Sequence, residues 1–421
     1  MLDLRLIRSD PERVRRSLAR RGPTDALDRV IALDREARAL RTRVEEARAA
    51  RTRASKAIGE ARRAGRDSGA EEQAAREMGE ALARDEAVLR EAEGTRDEVL
   101  AALPNLAEDE APDGGEEDSV VVRTAGEPPR FAFPVRDHVE IAEGLGGLDL
   151  EQAARVSGAR FAYLVGPLAR LQLALVTYAV DVVERHGFTP VVPPVLVREE
   201  AMYGTGFFPT DRSSIYALAD DDLFLVGTSE VPLAGLGFDR TFTEEALPLR
   251  LAGMSTCFRR EAGAAGRDTR GIFRVHQFDK VEMFTFTRPE DSHAEHLRIL
   301  AVQEEILTGL GIAYRVLDVA VGDLGASAAR KFDLEAWLPG QERYRELTSC
   351  SNCTDYQARR LNARVKAGGQ TVPVHTLNGT ATAVGRTIIA LLETHQQQDG
   401  SVEVPEALRA VGAPARLVPA A

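Results

Sequence analysis

The sequence predicts an α+β protein that begins with a long antiparallel helical hairpin and continues as a mixed domain. Residues 28–103 contain no proline and are rich in Ala, Arg, Glu and Leu, and apolar residues recur there at heptad spacing. From about residue 119 to residue 410, helix-like and strand-like segments alternate instead. A chain of 421 residues is also too long for one compact domain, so at least two bodies are expected.

The hairpin is predicted from two heptad series separated by a glycine-containing break at residues 64–69. A short connection makes the second helix run back along the first, and alanine at many seam positions lets the two helices approach closely. The seam positions are Leu33, Ala37, Leu40, Val44, Ala47, Arg51, Ala54 and Ile58 in the first helix, and Met78, Leu82, Asp85, Leu89, Ala92, Arg96, Val99 and Leu103 in the second.

The charge of the chain is unevenly distributed. The net charge of −12 argues against a nucleic-acid-binding protein, yet residues 35–66 hold eleven basic and four acidic side chains. A solvated helix face is the ordinary interpretation of such a stretch, and a strip that binds a phosphate backbone is the alternative. The candidate phosphate contacts are Arg35, Arg38, Arg41, Arg48, Arg51 and Lys56.

Three domains are predicted along the chain: a helical arm at 1–106, an acidic linker at 107–130 and a mixed domain at 131–421. Pro104 ends the hairpin, and residues 108–118 contain seven acids and no base. In the mixed domain, residues 167–186 and 387–396 are expected to be helices. Residues 187–194 and 281–286 are expected to be strands.

The cysteine content and the start of the chain predict a cytoplasmic protein without a membrane span. The three cysteines are too few for a disulfide framework, and no run approaches 18 uncharged apolar residues. Asp3, Asp10 and Glu12 do not suit a signal or transit peptide. Cys350 and Cys353 have the spacing of a zinc half-site, but no second pair follows, so no zinc is expected.

Residues 257–282 form the densest cluster of chemically useful side chains. Two strand-like pieces flank a glycine- and arginine-rich loop, and arginine is suited to bidentate binding of phosphate or carboxylate. Phe278 offers a ring face to a flat heterocycle, and Glu261 and Glu282 can accept amine or hydroxyl protons. For any single residue a salt-bridged surface hairpin is the better interpretation. The whole string favours a ligand site.

This string resembles motif 2 of the class II aminoacyl-tRNA synthetases: Phe-Arg-x-Glu at 258–261, a loop, then Arg274 and Phe278. Gly385-Arg386 resembles motif 3, and the segment ending at Pro193-Pro194 resembles motif 1. The longer strings at 258–271, 276–282, 343–354 and 395–405 are similar to the seryl-tRNA synthetase family in particular. The resemblance spans about residues 1–410.

The resemblance implies an antiparallel sheet flanked by helices, a homodimer formed through motif 1, and an arm that binds tRNA. It also implies ATP-dependent activation of L-serine to seryl-adenylate, followed by transfer to the 3′ end of tRNA(Ser), and to tRNA(Sec) where that is present. Arg259, Glu261 and Arg386 are the implied catalytic residues, and Phe278 and Arg386 would sandwich the adenine. The implied ATP contacts are Arg259, Arg260, Glu261, Val275, Phe278, Glu346, Leu347, Thr348, Ser349 and Arg386, with Glu346 and Ser349 holding Mg²⁺.

The resemblance further implies a polar pocket that selects serine by hydrogen-bonding its hydroxyl group. The implied contacts are Thr228, Ser229, Glu230, Arg259, Glu282 and Thr380. Two places depart from the common pattern of the family. Ser229 stands where many relatives have alanine, and residues 378–383 read Asn-Gly-Thr-Ala-Thr-Ala where many have Ser-Gly or a similar pair after Asn-Gly, so that Ala381 and Thr382 depart while Thr380 keeps a hydroxyl group.

Three other hypotheses compete with this one. A synthetase-like ligase could pass serine to a carrier protein, but the basic hairpin argues against a carrier acceptor. A coiled-coil binding protein with a degenerate synthetase domain is disfavoured because Arg259, Glu261, Glu282, Glu346 and Arg386 are all intact. A second, inhibitor-resistant copy of the housekeeping enzyme stays open, because the motifs do not distinguish it.

Overall fold

The computed structural model describes residues 1–262, 266 and 268–420 of the chain. These residues divide into two compact units. One unit is Leu2–Leu103, and the other begins at Pro104 and includes Met1. The part of the motif 2 loop at 263–265 and 267, which was predicted to belong to a ligand site, lies outside the described residues.

The first unit consists of four helices: α1 (Leu4–Ser9), α2 (Pro11–Ala19), α3 (Asp25–Arg63) and α4 (Gly69–Ala102). Asp10 caps α2 by accepting a hydrogen bond from the Arg13 amide, and Pro11 occupies the first turn, where its missing N–H costs nothing. The turn after α3 contains Gly65 at φ 70°, a left-handed conformation that glycine adopts without strain. The predicted antiparallel coiled coil is confirmed.

The seam of the hairpin follows the predicted heptads only in part. Ala37, Val44 and Leu82 are buried as expected, whereas Arg51 and Met78 are exposed. An α-helix has 3.6 residues per turn, so a stripe at heptad spacing drifts around a helix that is not supercoiled to match it. Because of this drift, Arg51 does not lie in the seam. Its guanidinium lies over Gly79 on α4.

The second unit contains the remaining helices and strands. The helices are α5 (His138–Gly144), α6 (Leu150–Ser157), α7 (Pro167–Arg185), α8 (Glu199–Thr205), α9 (Glu230–Gly235), α10 (Ser292–Gly309), α11 (Tyr356–Leu361), α12 (Val384–His395) and α13 (Glu406–Arg409). The strands are β1 (Val120–Ala125), β2 (Leu148–Asp149), β3 (Tyr163–Leu164), β4 (Thr189–Val191), β5 (Leu196–Val197), β6 (Ala217–Leu218), β7 (Leu223–Leu225), β8 (Thr241–Thr243), β9 (Leu249–Phe258), β10 (Gln277–Thr287), β11 (Tyr314–Asp318), β12 (Arg330–Leu338), β13 (Arg343–Asn352), β14 (Arg364–Ala367), β15 (Gln370–Pro373), β16 (His375–Ala383), β17 (Val402–Glu403) and β18 (Arg416–Leu417).

In the described part of the chain, the main sheet has eight strands in the order β1-β11-β12-β13-β16-β10-β9-β4. Neighbouring strands are antiparallel except β4 and β9, which are parallel. Helices α7, α10 and α12 contribute to the large hydrophobic core that also contains Val281 and Met283 of β10. A smaller core packs α9 and α11 against Phe284 and Phe286 of the same strand. The predicted antiparallel sheet with flanking helices is confirmed.

Part of the segment predicted as an acidic linker forms an edge strand of this sheet. Strand β1 pairs with β11, and Ala107 and Ala111 pack in a small cluster with Val319, Val321 and their neighbours. The strand signal was the β-branched run Val120-Val121-Val122, which follows directly on the acids. None of the helices in the described residues is apolar over the length that a membrane span requires.

Candidate functional site

A cleft of about 850 Å³ opens on the main sheet and gathers most of the predicted site residues. It is formed by the ends of β9 and β10, by β13 and β16, and by the N-terminal turns of α9 and α12. The predicted residues that line it are Thr228, Glu230, Arg259, Glu261, Val275, Phe278, Glu282, Glu346, Leu347, Thr348, Ser349, Thr380 and Arg386. Ser229 and Arg260 are outside the lining.

One face of β10 supplies three of the lining side chains. Phe278, Lys280 and Glu282 lie two residues apart, so they project from the same face of the strand, while Val281 and Met283 enter the hydrophobic core on the opposite face. Lys280 lines the cleft and was not predicted from the sequence. Its position two residues before Glu282 on a predicted strand was the available signal.

Glu282 lies at the centre of a buried polar cluster. Its Oε2 atom is 2.5 Å from Lys280 Nζ and accepts a hydrogen bond of 3.0 Å from Thr380 Oγ1. Lys280 Nζ is also 3.5 Å from Thr380 Oγ1. A carboxylate, an ammonium and a hydroxyl group held together in this way form a polar pocket that can hydrogen-bond a small ligand and discriminate against ligands without a hydroxyl group.

Glu230 stands at the start of α9 and lines the same end of the cleft. Its backbone amide donates to Thr228 Oγ1 at 3.2 Å, which fixes the turn that carries both residues. Burial, and then the nearby Glu282, raise the pKa of the Glu230 carboxyl to about 7. Such a carboxyl group is poised to bind a cationic ligand group, because a positive charge would restore its ionised form.

The side chains of Ser229 and Arg260 point away from the cleft. Ser229 is fully buried beneath it and donates to the Gly253 carbonyl at 3.2 Å. The Arg260 guanidinium lies 6.0 Å from the centre of the Tyr216 ring on the surface. Neighbours in a sequence motif therefore have different surroundings in the folded chain.

Arg259 enters the cleft at the end of β9. Its backbone amide donates to the His276 carbonyl at 2.9 Å, which continues the β9–β10 pairing by one residue. Its Nε donates to the Gly227 carbonyl at 3.2 Å, and its guanidinium lies 5.3 Å from the centre of the Phe278 ring. The Arg259 side chain is thus held between the end of the cleft that contains Glu230 and the rest of the cleft.

Ion pairs brace the described part of the motif 2 loop. The Arg274 guanidinium hydrogen-bonds the Glu261 carboxylate and lies 3.7 Å from Asp268 Oδ2. Arg345 of β13 donates to Asp268 Oδ1 at 2.8 Å. These contacts join Glu261 to Arg274 and, through Asp268, attach the loop to β13.

Arg386 projects from the first turn of α12 into the other end of the cleft. Its Nη1 donates to the Glu346 carbonyl at 2.9 Å and lies 3.4 Å from Glu346 Oε2. The guanidinium is 4.6 Å from the centre of the Phe273 ring. Phe278 lines the same cleft, but the ring directly against Arg386 is that of Phe273.

The predicted magnesium ligands lie on β13 beside a second carboxylate. Ser349 pairs with Asp333 across β12 and β13. Burial and the neighbouring Glu346 raise the pKa of Asp333 to about 7. Burial alone would raise the pKa of Glu346, but the charges of Arg386 and Lys331 outweigh it and hold that pKa below its ordinary value.

The oxygen donors around Glu346 suit a hard divalent cation. Besides the carboxylate and the Ser349 hydroxyl, Thr348 Oγ1 and Asp333 Oδ1 are buried without a hydrogen-bond partner among the described residues. Mg²⁺ is commonly held by one or two carboxylates together with substrate phosphates. No group of three or more His, Cys, Asp or Glu side chains that could hold a metal alone occurs in the described part of the chain.

Cys350 and Cys353 are buried free thiols with separate surroundings. Cys350 lies in the large hydrophobic core, whereas the Cys353 thiol is 3.6 Å from Ser327 Oγ. Burial raises the pKa of both thiols, which keeps them protonated and unreactive.

The basic side chains of the hairpin fall into two groups. Arg41 and Arg48 form ion pairs with Glu93 and Glu86 of α4. Arg38 lies 3.1 Å from the buried carboxylate of Asp34. The other predicted phosphate contacts are exposed and have no ion-pair partner among the described residues: Arg35, Arg51 and Lys56.

Comparisons with known proteins match both units. The seryl-tRNA synthetase N-terminal domain family matches residues 1–107, and the tRNA synthetase class II core domain (G, H, P, S and T) matches residues 216–395. The serine--tRNA ligase of Acidothermus cellulolyticus is 52% identical over 410 residues, which cover 97% of each chain. The chain belongs to the seryl-tRNA synthetase family.

Solved structures of the seryl-tRNA synthetase family have the same fold. The seryl-tRNA synthetase of Pyrococcus horikoshii, complexed with ATP, covers 100% of both chains with a TM-score of 0.94 and 39% identity. The cytoplasmic serine-tRNA ligase of Naegleria fowleri, in complex with AMP, has a TM-score of 0.88 and 35% identity, and covers 100% of this chain and 99% of its own. The resemblance predicted from the motifs is confirmed.

Proposed function

We propose that this chain is a serine–tRNA ligase, which activates L-serine with ATP to seryl-adenylate and transfers the serine to the 3′ end of tRNA(Ser), and to tRNA(Sec) where that is present. One observation carries the proposal. A single cleft holds two carboxylates, Glu230 and Glu282, at one end and Arg386 with Glu346 at the other, and Arg259 lies at the junction.

Activation joins two anions, the serine carboxylate and the α-phosphate of ATP, so the site must supply positive charge where they meet. Arg259 is the cation placed at that junction, because the Gly227 carbonyl holds its Nε and the Phe278 ring supports its guanidinium. A guanidinium that contacts both groups lowers their repulsion and stabilises the charge that develops on the phosphate. Glu261 is held beside it by Arg274 and would contact the adenine.

Serine binding uses the two carboxylates for different groups of the substrate. Glu230 accepts from the ammonium, and Glu282 with Thr380 hydrogen-bonds the hydroxyl group. Alanine in the same pocket would leave one hydrogen bond of the buried Lys280–Glu282–Thr380 cluster unmade, and this cost disfavours the binding of alanine.

The nucleotide binds at the other end of the cleft. Phe278 offers its ring to one face of the adenine. The Arg386 guanidinium would move away from the Phe273 ring, either to cover the other face of the adenine or to contact the outer phosphates. The oxygen atoms of Glu346 and Ser349 would hold Mg²⁺, which when bound neutralises phosphate charge. Val275, Leu347 and Thr348 complete this wall of the cleft.

The helical hairpin is the proposed tRNA-binding element, through the basic side chains of α3. The proposed homodimer forms through the motif 1 region. There, Leu173 and Val192 are large apolar side chains with 64% and 79% of their surface exposed. A partner subunit would cover these side chains. The proposed compartment is the cytoplasm, where tRNA is charged and where the free thiols of the chain would stay reduced.

The acceptor distinguishes this function from a ligase that charges a carrier protein. Purified protein, ATP and radiolabelled serine are incubated with tRNA(Ser) or with a pantetheinylated carrier protein. We expect label in tRNA alone, at a rate that falls with added salt. Label in the carrier and none in tRNA would contradict the proposal.

A further inference from the structure

Gln357 of α11 is a fully buried amide that does not line the cleft, yet it bonds directly to the Glu230 carboxylate. We propose that Gln357 is a positioning residue for serine, which holds one oxygen of Glu230 so that the other faces the substrate ammonium. The proposal rests on the function proposed above and deepens it at one subsite.

The hydrogen bonds of Gln357 leave its amide a single orientation. Nε2 donates to Glu230 Oε1 at 2.7 Å and to the Thr205 carbonyl at 3.0 Å. The Thr205 carbonyl can only accept a hydrogen bond, and so can the ionised Glu230 carboxylate, so the NH₂ end must face them. Oε1 of the amide accepts from Thr376 Oγ1 at 2.8 Å. Both donors and the carbonyl oxygen are therefore engaged, and the side chain has no alternative set of partners to adopt.

The Glu230 carboxylate accepts two hydrogen bonds from side-chain amides, and both reach the same oxygen. Asn378 Nδ2 donates to Oε1 at 3.0 Å, beside the bond from Gln357. Among the described residues, Oε2 has no hydrogen-bond donor. A carboxylate held in this way presents one free oxygen in a fixed direction, which is what recognition of a single ammonium group requires.

The surroundings of Glu230 make these donors matter for its charge. Glu282 faces it from β10 and opposes its ionisation, as burial does, and the pKa of Glu230 is raised to about 7. Lys280 and Arg259 are the cations that face it, and the hydrogen bond from Gln357 favours the ionised form as they do. The buried Cys353 thiol is the other titratable group nearby. Loss of the amide thus affects both the direction and the charge of the carboxylate.

The test is Gln357→Leu, assayed by serine-dependent ATP–pyrophosphate exchange. A hydrogen bond to a charged group predicts a rise in KM for serine of roughly 10- to 100-fold, while KM for ATP stays within about twofold. The acid limb of kcat/KM for serine moves to higher pH, because the carboxylate has lost a donor. Equal rises in the two KM values, or an unmoved acid limb, would overturn the proposal.

Two further variants separate positioning from folding. Gln396→Leu removes a buried amide that bonds the Arg136 and Glu393 carbonyls outside the cleft, and it should leave KM for serine and the pH profile unchanged. Thr376→Val keeps the shape but removes the hydroxyl that holds the Gln357 amide. It should raise KM for serine several-fold and move the acid limb of kcat/KM for serine to higher pH, as Gln357→Leu does. An unchanged KM for serine in Thr376→Val would contradict the proposal, whether or not Gln357→Leu folds. Exchange by the unaltered protein tests the proposed function independently.

Discussion

Glu230 and Glu282 are two carboxylates in one cleft, but their partners differ in kind. Glu282 is 2.5 Å from the Lys280 ammonium, whereas Glu230 receives amide donors and no cation within ion-pairing distance in the described structure. A carboxylate that already has its own cation is suited to a neutral hydroxyl. One that lacks a cation is suited to a ligand that brings one. In the proposed function, this difference in charge distinguishes the two ends of serine.

Arg259 is the residue whose loss should be most costly for activation. Arg259→Ala removes the guanidinium that, in the proposed function, lies where the serine carboxylate meets the α-phosphate. Loss of one donor to transition-state charge typically costs about 10²- to 10³-fold in kcat. We expect serine-dependent ATP–pyrophosphate exchange to fall by at least that factor. Near-normal exchange would show that the motif 2 assignment is wrong.

The raised pKa of Glu230 predicts how serine use depends on pH. In the empty protein the carboxyl is about half protonated near pH 7, and only its ionised form attracts the serine ammonium. We therefore expect kcat/KM for serine to approach a tenfold fall per pH unit below about pH 6.

Asp333 is the control for this pH dependence, because its pKa is also about 7 and it lies at the nucleotide end. The acid limb for serine should persist in Asp333→Asn. Its disappearance in that variant would assign the limb to Asp333 and contradict the role given to Glu230.

The limits of prediction from sequence are visible at single residues. Arg259 and Glu282 could be identified because motif spacing places them. Lys280 follows from strand alternation once Glu282 is known. Gln357 could not be found, because its bond to Glu230 joins residues 127 positions apart and depends on how α11 packs behind α9.

At the scale of elements, the hairpin separates charge between its two helices. Helix α3 carries eleven basic and seven acidic side chains, and α4 carries four basic and ten acidic. Cross-helix ion pairs such as Arg48–Glu86 use part of the basic set to join the helices. The side chains left for a phosphate backbone are those on α3 that form no ion pair with α4 among the described residues.

This division predicts unequal effects of arginine substitutions on tRNA charging. Arg51→Ala should lower kcat/KM for tRNA and reduce its salt slope by about one, as expected for one lost phosphate contact. Arg62→Ala is the matched control, because Arg62 is also exposed on α3 but donates to both oxygens of Glu72 at 2.9 and 2.8 Å. In Arg62→Ala the salt slope of kcat/KM for tRNA should change by less than half as much as in Arg51→Ala. Equal changes would mean that the cross-helix pairs do not restrict phosphate binding.

The hairpin also shows why an element can be predicted better than its details. The proline-free heptads and the glycine break were sufficient to predict two antiparallel helices. The seam could not be assigned residue by residue, because the drift that exposes Arg51 and Met78 depends on how tightly the helices supercoil. In the same way, the acids of residues 108–118 concealed the edge strand β1, whose pairing with β11 is a long-range contact.

At the scale of the whole molecule, the net charge of −12 is an average over parts with different roles. The cleft that we assign to activation is built entirely from residues of the second unit, and the basic strip lies entirely in the first. Activation and tRNA binding are therefore expected to be separable by deletion.

Replacement of residues 35–95 by a short glycine–serine linker tests this separation. The deletion keeps Asp34 and Arg96, which lie 3.5 Å apart at the base of the hairpin and can close the shortened helices. We expect exchange within about threefold of the full chain and tRNA charging reduced by at least about 100-fold, since the steep electrostatic term is lost. If tRNA charging survives the deletion, the hairpin is only a scaffold and is not the tRNA-binding element.

The most direct test of the proposed activity is ATP–pyrophosphate exchange measured with each of the twenty amino acids in turn. We expect exchange that depends on serine, with alanine poorer by a factor on the order of 10³ or more, because alanine makes no hydrogen bond to the buried Glu282–Thr380 pair. Exchange with no amino acid, or equal exchange with alanine and serine, would contradict it.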